Sequence, residues 1–141
     1  MSNKAKLIAT VEALARKRGM SLWTLKLDEL ALILMAFTQT VGRNETFTER
    51  AFSARLEQWL RGEGEFLRTD FAEMRRALVD LRFFARDASG AVYRRAPAWP
   101  ARWRALCTAV EDVALSEVLA SARAEEASQR DERKRLALQR A

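Results

Sequence analysis

Several arginine side chains that could bind phosphate groups lie between residues 66 and 95 of the chain. A guanidinium group presents several N–H donors to phosphate oxygens, so arginines on a helix and an adjoining hairpin are typical of nucleic-acid contacts. The candidate contacts are Arg68, Arg76, Arg86, Arg94 and Arg95. Alternatively, the hairpin arginines are solvated charges that discourage edge-to-edge aggregation. The sequence therefore permits double-stranded DNA as a partner of this stretch without requiring it.

Arg76 has two competing interpretations. A helix is predicted here because four apolar residues share one stripe at helical spacing, namely Phe71, Met74, Leu78 and Leu81. Arg76 lies almost opposite that stripe, with Glu73 three residues before it and Asp80 four residues after it. Its guanidinium can therefore either contact phosphate or pair within its own helix. Arg75, at the flank of the stripe, is predicted to pack its stem against the core and reach a carboxylate.

A second group of cations precedes Gly19. Residues 1–20 carry five Lys or Arg residues against one Glu, whereas residues 43–95 carry 11 Arg against nine Asp or Glu. The basic triplet Arg16, Lys17 and Arg18 ends a predicted amphipathic helix over residues 4–18. Those charges either complement the negative end of the helix dipole or contact phosphate.

Two features of the composition argue against an enzyme. The chain has no histidine, which excludes histidine acid–base catalysis, Ser-His triads and histidine metal ligands. The single cysteine, Cys107, cannot form an internal disulfide or a cysteine-cluster zinc site, and it is predicted to be a small buried apolar residue. No Gly-rich phosphate loop or nucleophile elbow is present. We therefore expect no catalytic residue, no metal and no cofactor.

The hydrophobic pattern predicts a mainly α-helical fold with a small β-hairpin. After the helix over 4–18, helices are expected over 28–40, from a capping box at 46–49 to residue 61, and from Asp70 to Leu81, with hairpin strands at 83–86 and 91–94. In a winged-helix domain, the recognition helix is followed by a strand, a tight turn and a second strand, and the same order is predicted here. This order predicts a winged-helix-like domain over residues 21–96, preceded by an N-terminal helix over 1–20 and followed by residues 97–141.

The C-terminal segment begins with a corner made by Pro97 and Pro100, and a long helix is predicted from Ala101. Its candidate contact residues are Trp99, Trp103, Val110 and Val113. This apolar stripe either closes the core or forms an interface with a second copy or another protein. Beyond Ala122 the charges alternate in sign, which is typical of a solvated helix, although a partner-binding arm remains open.

Several short motifs carry a family resemblance. They are Phe47-Thr-Glu-Arg-Ala-Phe52, Asp70, Arg75-Arg-Ala-Leu-Val-Asp80, Arg86-Asp-Ala-Ser-Gly90 and Tyr93-Arg94. This succession resembles the bacterial Domain of Unknown Function 2087 over about residues 28–95. The resemblance implies a winged-helix module that stands alone or follows a DNA-binding domain in bacterial regulators. It implies a transcription-associated role and supplies no catalytic residue or ligand.

Two functional hypotheses follow from these patterns. The first is a winged-helix-like, DNA-associated regulator or accessory factor of transcription without enzymatic activity. The second is a protein–protein interaction or dimerisation module that uses the winged scaffold and the C-terminal helix. The longest apolar run, at residues 30–37, is far shorter than the roughly 20 residues that span a bilayer. No export signal is visible, so we expect a cytoplasmic protein without a membrane partner.

Overall fold

The computed structural model describes residues 2–140, which leaves out the first and last residues of the predicted terminal segments. The helices are α1 (Asn3–Ala15), α2 (Leu27–Thr38), α3 (Glu49–Arg61), α4 (Phe71–Asp80), α5 (Arg104–Val110) and α6 (Leu115–Arg140). The strands are β1 (Thr46–Thr48), β2 (Phe84–Arg86) and β3 (Val92–Arg95). Single turns of 3₁₀ helix lie at Leu22–Thr24 and Ala101–Trp103. The predicted mainly helical fold with a long C-terminal helix is confirmed.

The central part of the chain has the winged-helix order α2, β1, α3, α4, β2, β3. The three strands form an antiparallel sheet in the order β1-β3-β2. Both Phe47 of β1 and Arg86 of β2 lie opposite Tyr93 of β3. We call β2, β3 and their connecting turn the wing. The sequence pattern predicted the hairpin but missed β1, because three residues carry too little alternation to indicate a strand.

Side-chain caps fix where α3 and α4 begin. The Asp70 carboxylate accepts a hydrogen bond from the backbone N–H of Glu73 at 2.8 Å, which confirms the predicted start of α4. Helix α3 is capped by Thr48, whose hydroxyl accepts from the N–H of Ala51 at 3.1 Å. The capping box predicted at residues 46–49 was therefore placed two residues too early, since these residues pair in β1 before the helix begins.

A cluster of aromatic side chains joins the sheet to helices α2 and α3. Phe52 is fully buried, and its ring centroid lies 4.8 Å from that of Phe84 and 5.0 Å from that of Tyr93. Phe37 of α2 and Phe47 of β1 complete the cluster at 6.0 Å and 5.5 Å from Phe52. Helix α2 is buried on all sides from Leu30 to Thr38, because other elements surround it.

The N-terminal and C-terminal segments share this core. Helix α1 packs against α5 and α6, and a single hydrophobic cluster includes residues from all three predicted segments. Between α3 and α6, the Trp59 indole donates to the Ser116 hydroxyl at 3.0 Å, which in turn donates to the Ala36 carbonyl at 2.8 Å.

The long helix predicted from Ala101 is interrupted. Helix α5 ends at Val110 and α6 begins at Leu115. The side chain of Gln39 spans the break, because it donates to the Val113 carbonyl at 2.8 Å and accepts from the Leu115 N–H at 3.0 Å. A distant residue thereby satisfies backbone groups that would otherwise have continued the helix.

The predicted interface stripe is largely inside the molecule. Trp103 and Val110 are buried, whereas Trp99 and Val113 are half-buried. The Trp103 ring stacks on Phe83 with centroids 6.0 Å apart. Of the two alternatives for this stripe, the structure shows that Trp103 and Val110 close the chain's own core, so these two residues are not available as the predicted interface contacts.

Helix α4 ends with an arginine in an unusual backbone conformation. The Phe83 N–H donates to the Leu78 carbonyl at 2.9 Å and the Arg82 N–H donates to the Val79 carbonyl at 3.1 Å, which together form a Schellman motif. Arg82 has a φ of 72°, in the left-handed region that glycine adopts without steric strain. The side chain at this position therefore reduces stability.

Replacing Arg82 with glycine is expected to raise the free energy of unfolding by about 0.5–1 kcal/mol, because the left-handed conformation then carries no Cβ strain. Urea denaturation measures this change. Arg76→Gly in the interior of the same helix is the control and should lower stability by about 1 kcal/mol. A loss of stability in Arg82→Gly would contradict the strain argument.

Cys107 is fully buried, as predicted. Burial, reinforced by the nearby charge of Glu111, raises the pKa of its thiol to about 12. At pH 8 only about one thiol in 10,000 is then ionised, and the thiolate is the reactive species. Reaction with a chromogenic disulfide is expected to be more than about 100-fold slower in the native protein than in urea. Rapid stoichiometric labelling of the native chain would contradict the prediction that the Cys107 thiol is unreactive.

Within residues 2–140, no helix combines the length and the apolar composition that crossing a membrane requires.

Candidate nucleic-acid interface

The recognition-helix candidate α4 turns one face to the core and the other to solvent. Met74, Ala77 and Leu78 are buried against the rest of the domain, and α4 packs mainly on α3 and β2. Arg76 and Asp80 are exposed on the opposite side. This arrangement follows from the apolar spacing of the helix.

Arg75 and Arg76 have different surroundings although they are adjacent. The Arg75 guanidinium lies 2.5 Å from the Ser53 hydroxyl and 3.0 Å from the Glu49 carboxylate, with 21% of its side chain exposed. The prediction that Arg75 reaches a carboxylate is confirmed. In the part of the chain that the structure describes, Arg76 forms no ion pair, and the Glu73 carboxylate instead accepts from the Thr69 hydroxyl at 2.6 Å.

Arg76 and Arg86 line one groove between α4 and the wing. The groove has a volume of about 150 Å³ and is lined by Ala72, Arg75, Arg76, Val79, Asp80, Arg86 and Tyr93. The Arg86 guanidinium lies 5.0 Å from the centroid of the Tyr93 ring and donates to the Gly90 carbonyl at 2.8 Å. Arg86 is therefore held in position beside α4 while it remains exposed.

The three hairpin arginines have different surroundings. Arg86 lies opposite Tyr93 and shares its face of the sheet, whereas Arg94 is exposed on the other face. Arg95 is half-buried, donates to the Val41 carbonyl at 3.0 Å and lies 5.2 Å from the ring centroid of Trp99. Burial, and secondarily the charge of Arg43, lower the pKa of Arg95 below its ordinary value. Only Arg86 of the three is next to α4.

The turn of the wing is held by its own hydrogen bonds. The Asp87 carboxylate accepts from the Ser89 hydroxyl at 2.8 Å and from the N–H groups of Ala91 and Val92 at 2.9 and 3.2 Å. These hydrogen bonds, with that from Ser89 the largest effect, lower the pKa of Asp87. Gly90 adopts a φ of 75°, which glycine tolerates. The wing is thus a pre-ordered hairpin.

A family model described as an uncharacterised protein conserved in bacteria, DUF2087, matches residues 20–95. The chain belongs to the DUF2087 family. A search of curated proteins and a search of solved structures each found no match to the chain.

The DUF2087 match includes every element of the winged helix and the candidate arginines Arg68, Arg76 and Arg86. It ends at the last residue of β3, so helices α1, α5 and α6 lie outside it. Arg94 and Arg95 also lie within the match, but neither of them lines the groove beside α4.

The basic triplet lies at the start of α4 and not at the wing. Met20 pairs with Leu67 in an isolated parallel bridge, and the Arg68 N–H donates to the Met20 carbonyl at 2.8 Å. The segment that follows α1 therefore lies beside the residues that lead into α4. The structure does not bring the triplet together with Arg86, since the triplet lines a cleft with Glu65 and Phe66 and Arg86 lines the groove between α4 and the wing.

A polar cleft lined mainly by residues outside the DUF2087 match contains the triplet. The cleft has a volume of about 380 Å³, and its charged lining residues are Arg16, Lys17, Arg18, Glu65, Arg123, Glu126 and Arg130. The Arg123 side chain donates to the Glu65 carboxylate at 2.5 Å and is the principal cause of the lowered pKa of that carboxyl. Arg16 lies 3.7 Å from Glu125. Three cations of the cleft, Lys17, Arg18 and Arg130, have no ion pair within residues 2–140.

The sequence analysis missed Arg123 and Arg130 as neighbours of the triplet. Both lie on α6, more than 100 residues from the triplet along the chain, and only the packing of α1 on α6 brings them together. No local pattern could have indicated this proximity. In the part of the chain that the structure describes, no three Cys, Asp or Glu side chains form a metal-binding group.

Proposed function

We propose that this chain is a DNA-associated, non-enzymatic regulator or accessory factor of transcription. The observation that supports this proposal best is the pair Arg76 and Arg86, exposed on two sides of the groove between a recognition-helix candidate and its wing. Arg68 adds a third exposed cation at the start of the same helix. Such a set can contact successive phosphates along a duplex.

The charges on α4 determine how the helix would approach DNA. Its N-terminal end carries the positive end of the helix dipole and follows the exposed Arg68, while its carboxylates, Asp70 and Glu73, accept hydrogen bonds from the Glu73 N–H and the Thr69 hydroxyl. Its C-terminal end carries the Asp80 carboxylate, whose negative charge is repelled by phosphate groups. We therefore infer that the first half of α4 enters the major groove, as in other helix-turn-helix proteins. The wing then contacts the neighbouring backbone through Arg86.

The proposed contacts are mainly with phosphate groups, so the affinity depends strongly on salt. Contacts with phosphate position a protein on the duplex but carry no sequence information. Arg76 is the side chain on α4 that is best placed to reach a base edge, because it is exposed and unpaired. The proposal includes a cytoplasmic location, because bacterial DNA is accessible in the cytoplasm.

Fluorescence anisotropy with a labelled generic duplex tests the proposal. Binding is expected at about 50 mM salt, and the affinity should fall by roughly 10- to 100-fold at about 200 mM. Contacts with a few phosphates release counterions from the DNA, and a higher salt concentration opposes this release. A binding constant that does not change between these concentrations, or no binding at low salt, would contradict phosphate contacts by this surface.

A second candidate function is self-association through α6. Its distal part, residues 123–140, continues beyond the core, with Leu136 and Leu138 exposed by 40% and 78%. Trp103 and Val110 no longer support an interface, since both are buried. Light scattering at increasing protein concentration tests this candidate, and a monomer at all concentrations would exclude a dimer.

A further inference from the structure

A largely apolar cavity separates the end of α4 from the corner that follows the wing. Its volume is about 470 Å³, within the range of small-molecule sites. Its apolar walls are Leu81, Ala96, Pro97, Ala98, Trp99, Pro100, Ala101 and Trp103. The cavity lies where the DUF2087 match ends at residue 95 and the following segment begins.

Contacts with neighbouring residues hold the Trp99 wall of this cavity. The Trp99 indole N–H donates to the Glu111 carboxylate at 3.0 Å, and the Arg95 guanidinium lies 5.2 Å from the centroid of the ring. The backbone carbonyl of Trp99 accepts from Arg104 at 3.1 Å. An aromatic wall fixed in this way can receive a flat ligand without first being ordered.

The charged groups around the cavity have a positive excess. Three arginines, Arg82, Arg102 and Arg104, line it together with one carboxylate, Asp80. The Arg104 side chain donates to the Trp99 carbonyl, and Arg102 lies 5.1 Å from the Trp103 ring centroid. Within residues 2–140, Arg82 forms neither an ion pair nor a side-chain hydrogen bond. Its guanidinium is therefore free to pair with an anion, whereas that of Arg102, which also has no ion pair within residues 2–140, lies over the Trp103 ring.

Arg82 occupies its position despite backbone strain. Its φ of 72° would be unstrained for glycine, so the chain retains a cationic side chain where that side chain lowers stability. Strained residues of this kind cluster at ligand sites. The strained backbone of Arg82 and its unpaired guanidinium are two independent observations, and Arg82 lines a largely apolar cavity.

We propose that this cavity binds a small organic anion with a flat apolar body and a carboxylate group. The body stacks in the space bounded by Trp99, Trp103 and Pro100, and the carboxylate pairs with Arg82. The positive excess of the lining arginines over Asp80 favours an acid over a neutral compound of the same shape. This site is distinct from the groove beside Arg76, and the proposal does not depend on DNA binding.

Titration of the 141-residue chain with 2-naphthoate and with 2-naphthamide tests the site and its charge preference. Indole N–H signals in NMR spectra report on all four tryptophans, and Trp23 and Trp59 serve as internal controls because neither lines the cavity. We expect saturable shifts of the Trp99 and Trp103 signals with naphthoate. The neutral amide should bind about tenfold more weakly, since it lacks the charged hydrogen bond.

Arg82→Gly separates binding from folding. This variant is expected to bind naphthoate about tenfold more weakly although it is at least as stable as the unaltered chain. Arg94→Gln removes one charge from the outer face of the sheet and should leave the naphthoate affinity unchanged. Unmoved Trp99 and Trp103 signals, equal affinities for acid and amide, or unchanged affinity in Arg82→Gly would each overturn the proposal.

Discussion

Replacing Arg68, Arg76 and Arg86 together with glutamine is expected to weaken binding to a generic duplex by about 100-fold at low salt. Three phosphate contacts at roughly 1 kcal/mol each correspond to a loss of about 3 kcal/mol, and about 1.4 kcal/mol is a factor of ten. The slope of log affinity against log salt should also fall by about 3, because three fewer counterions are released. Anisotropy over a series of salt concentrations measures both quantities.

A variant with the same loss of charge provides the control for this experiment. Arg43, Arg94 and Arg140 are exposed and do not line the groove beside α4. Their joint replacement with glutamine should change the affinity only by a few fold, through the weaker long-range field of the protein. Equal losses in the two triple variants would show that overall charge, and not the surface of α4 and the wing, determines binding.

The stability of the functional variant must be measured alongside its affinity. Arg68 and Arg76 are exposed, so their replacement should alter the free energy of unfolding by less than about 0.5 kcal/mol each. Arg86 also contacts the Tyr93 ring and the Gly90 carbonyl, so its loss costs up to about 1 kcal/mol. A folded variant with weakened binding therefore reports on the interface.

Phe52→Ala is expected to lower the free energy of unfolding by about 3–5 kcal/mol. The Phe52 side chain is fully buried and contacts aromatic rings on α2, β1, β2 and β3, so its removal leaves a cavity at the junction of the sheet and the helices. Domains of this size are typically stable by about 5–15 kcal/mol, so the loss is a large part of the total. Urea denaturation measures it.

Trp23→Ala provides the matched comparison, because Trp23 is large and aromatic but 54% exposed. Its replacement should cost less than about 1 kcal/mol. A loss below about 1 kcal/mol in Phe52→Ala would contradict the central position of the aromatic cluster in the core.

Local sequence patterns predicted the elements that form the candidate interface. The apolar spacing of α4, the Asp70 cap and the turn around Gly90 depend on neighbours within a few residues, so they can be recognised without the rest of the fold. Alternation along a strand could also have shown that Arg94 and Arg95 face opposite sides of the sheet. The grouping of Arg86, Arg94 and Arg95 as one set of contacts did not take this alternation into account.

Other features depend on residues that are distant in sequence. Strand β1 forms through pairing with β3, and the break between α5 and α6 is bridged by Gln39, which directly follows α2. Periodicity indicated an apolar stripe containing Trp103 and Val110, but it could not specify whether the chain's own core or a partner covers that stripe. The polar cleft also depends on residues that are distant in sequence, because it forms where α1 packs on α6.

Amide chemical shifts of the ¹⁵N-labelled protein, followed during titration with a generic duplex at low salt, test the proposed DNA interface most directly. The largest changes are expected at residues 66–76 and in the wing turn at residues 86–91, with none in the Leu22–Thr24 turn or at residues 133–140. Changes confined to residues 133–140 or to the corner at residues 97–103 would contradict the assignment of α4 and the wing as the DNA-binding surface. An absence of any change would contradict DNA binding itself.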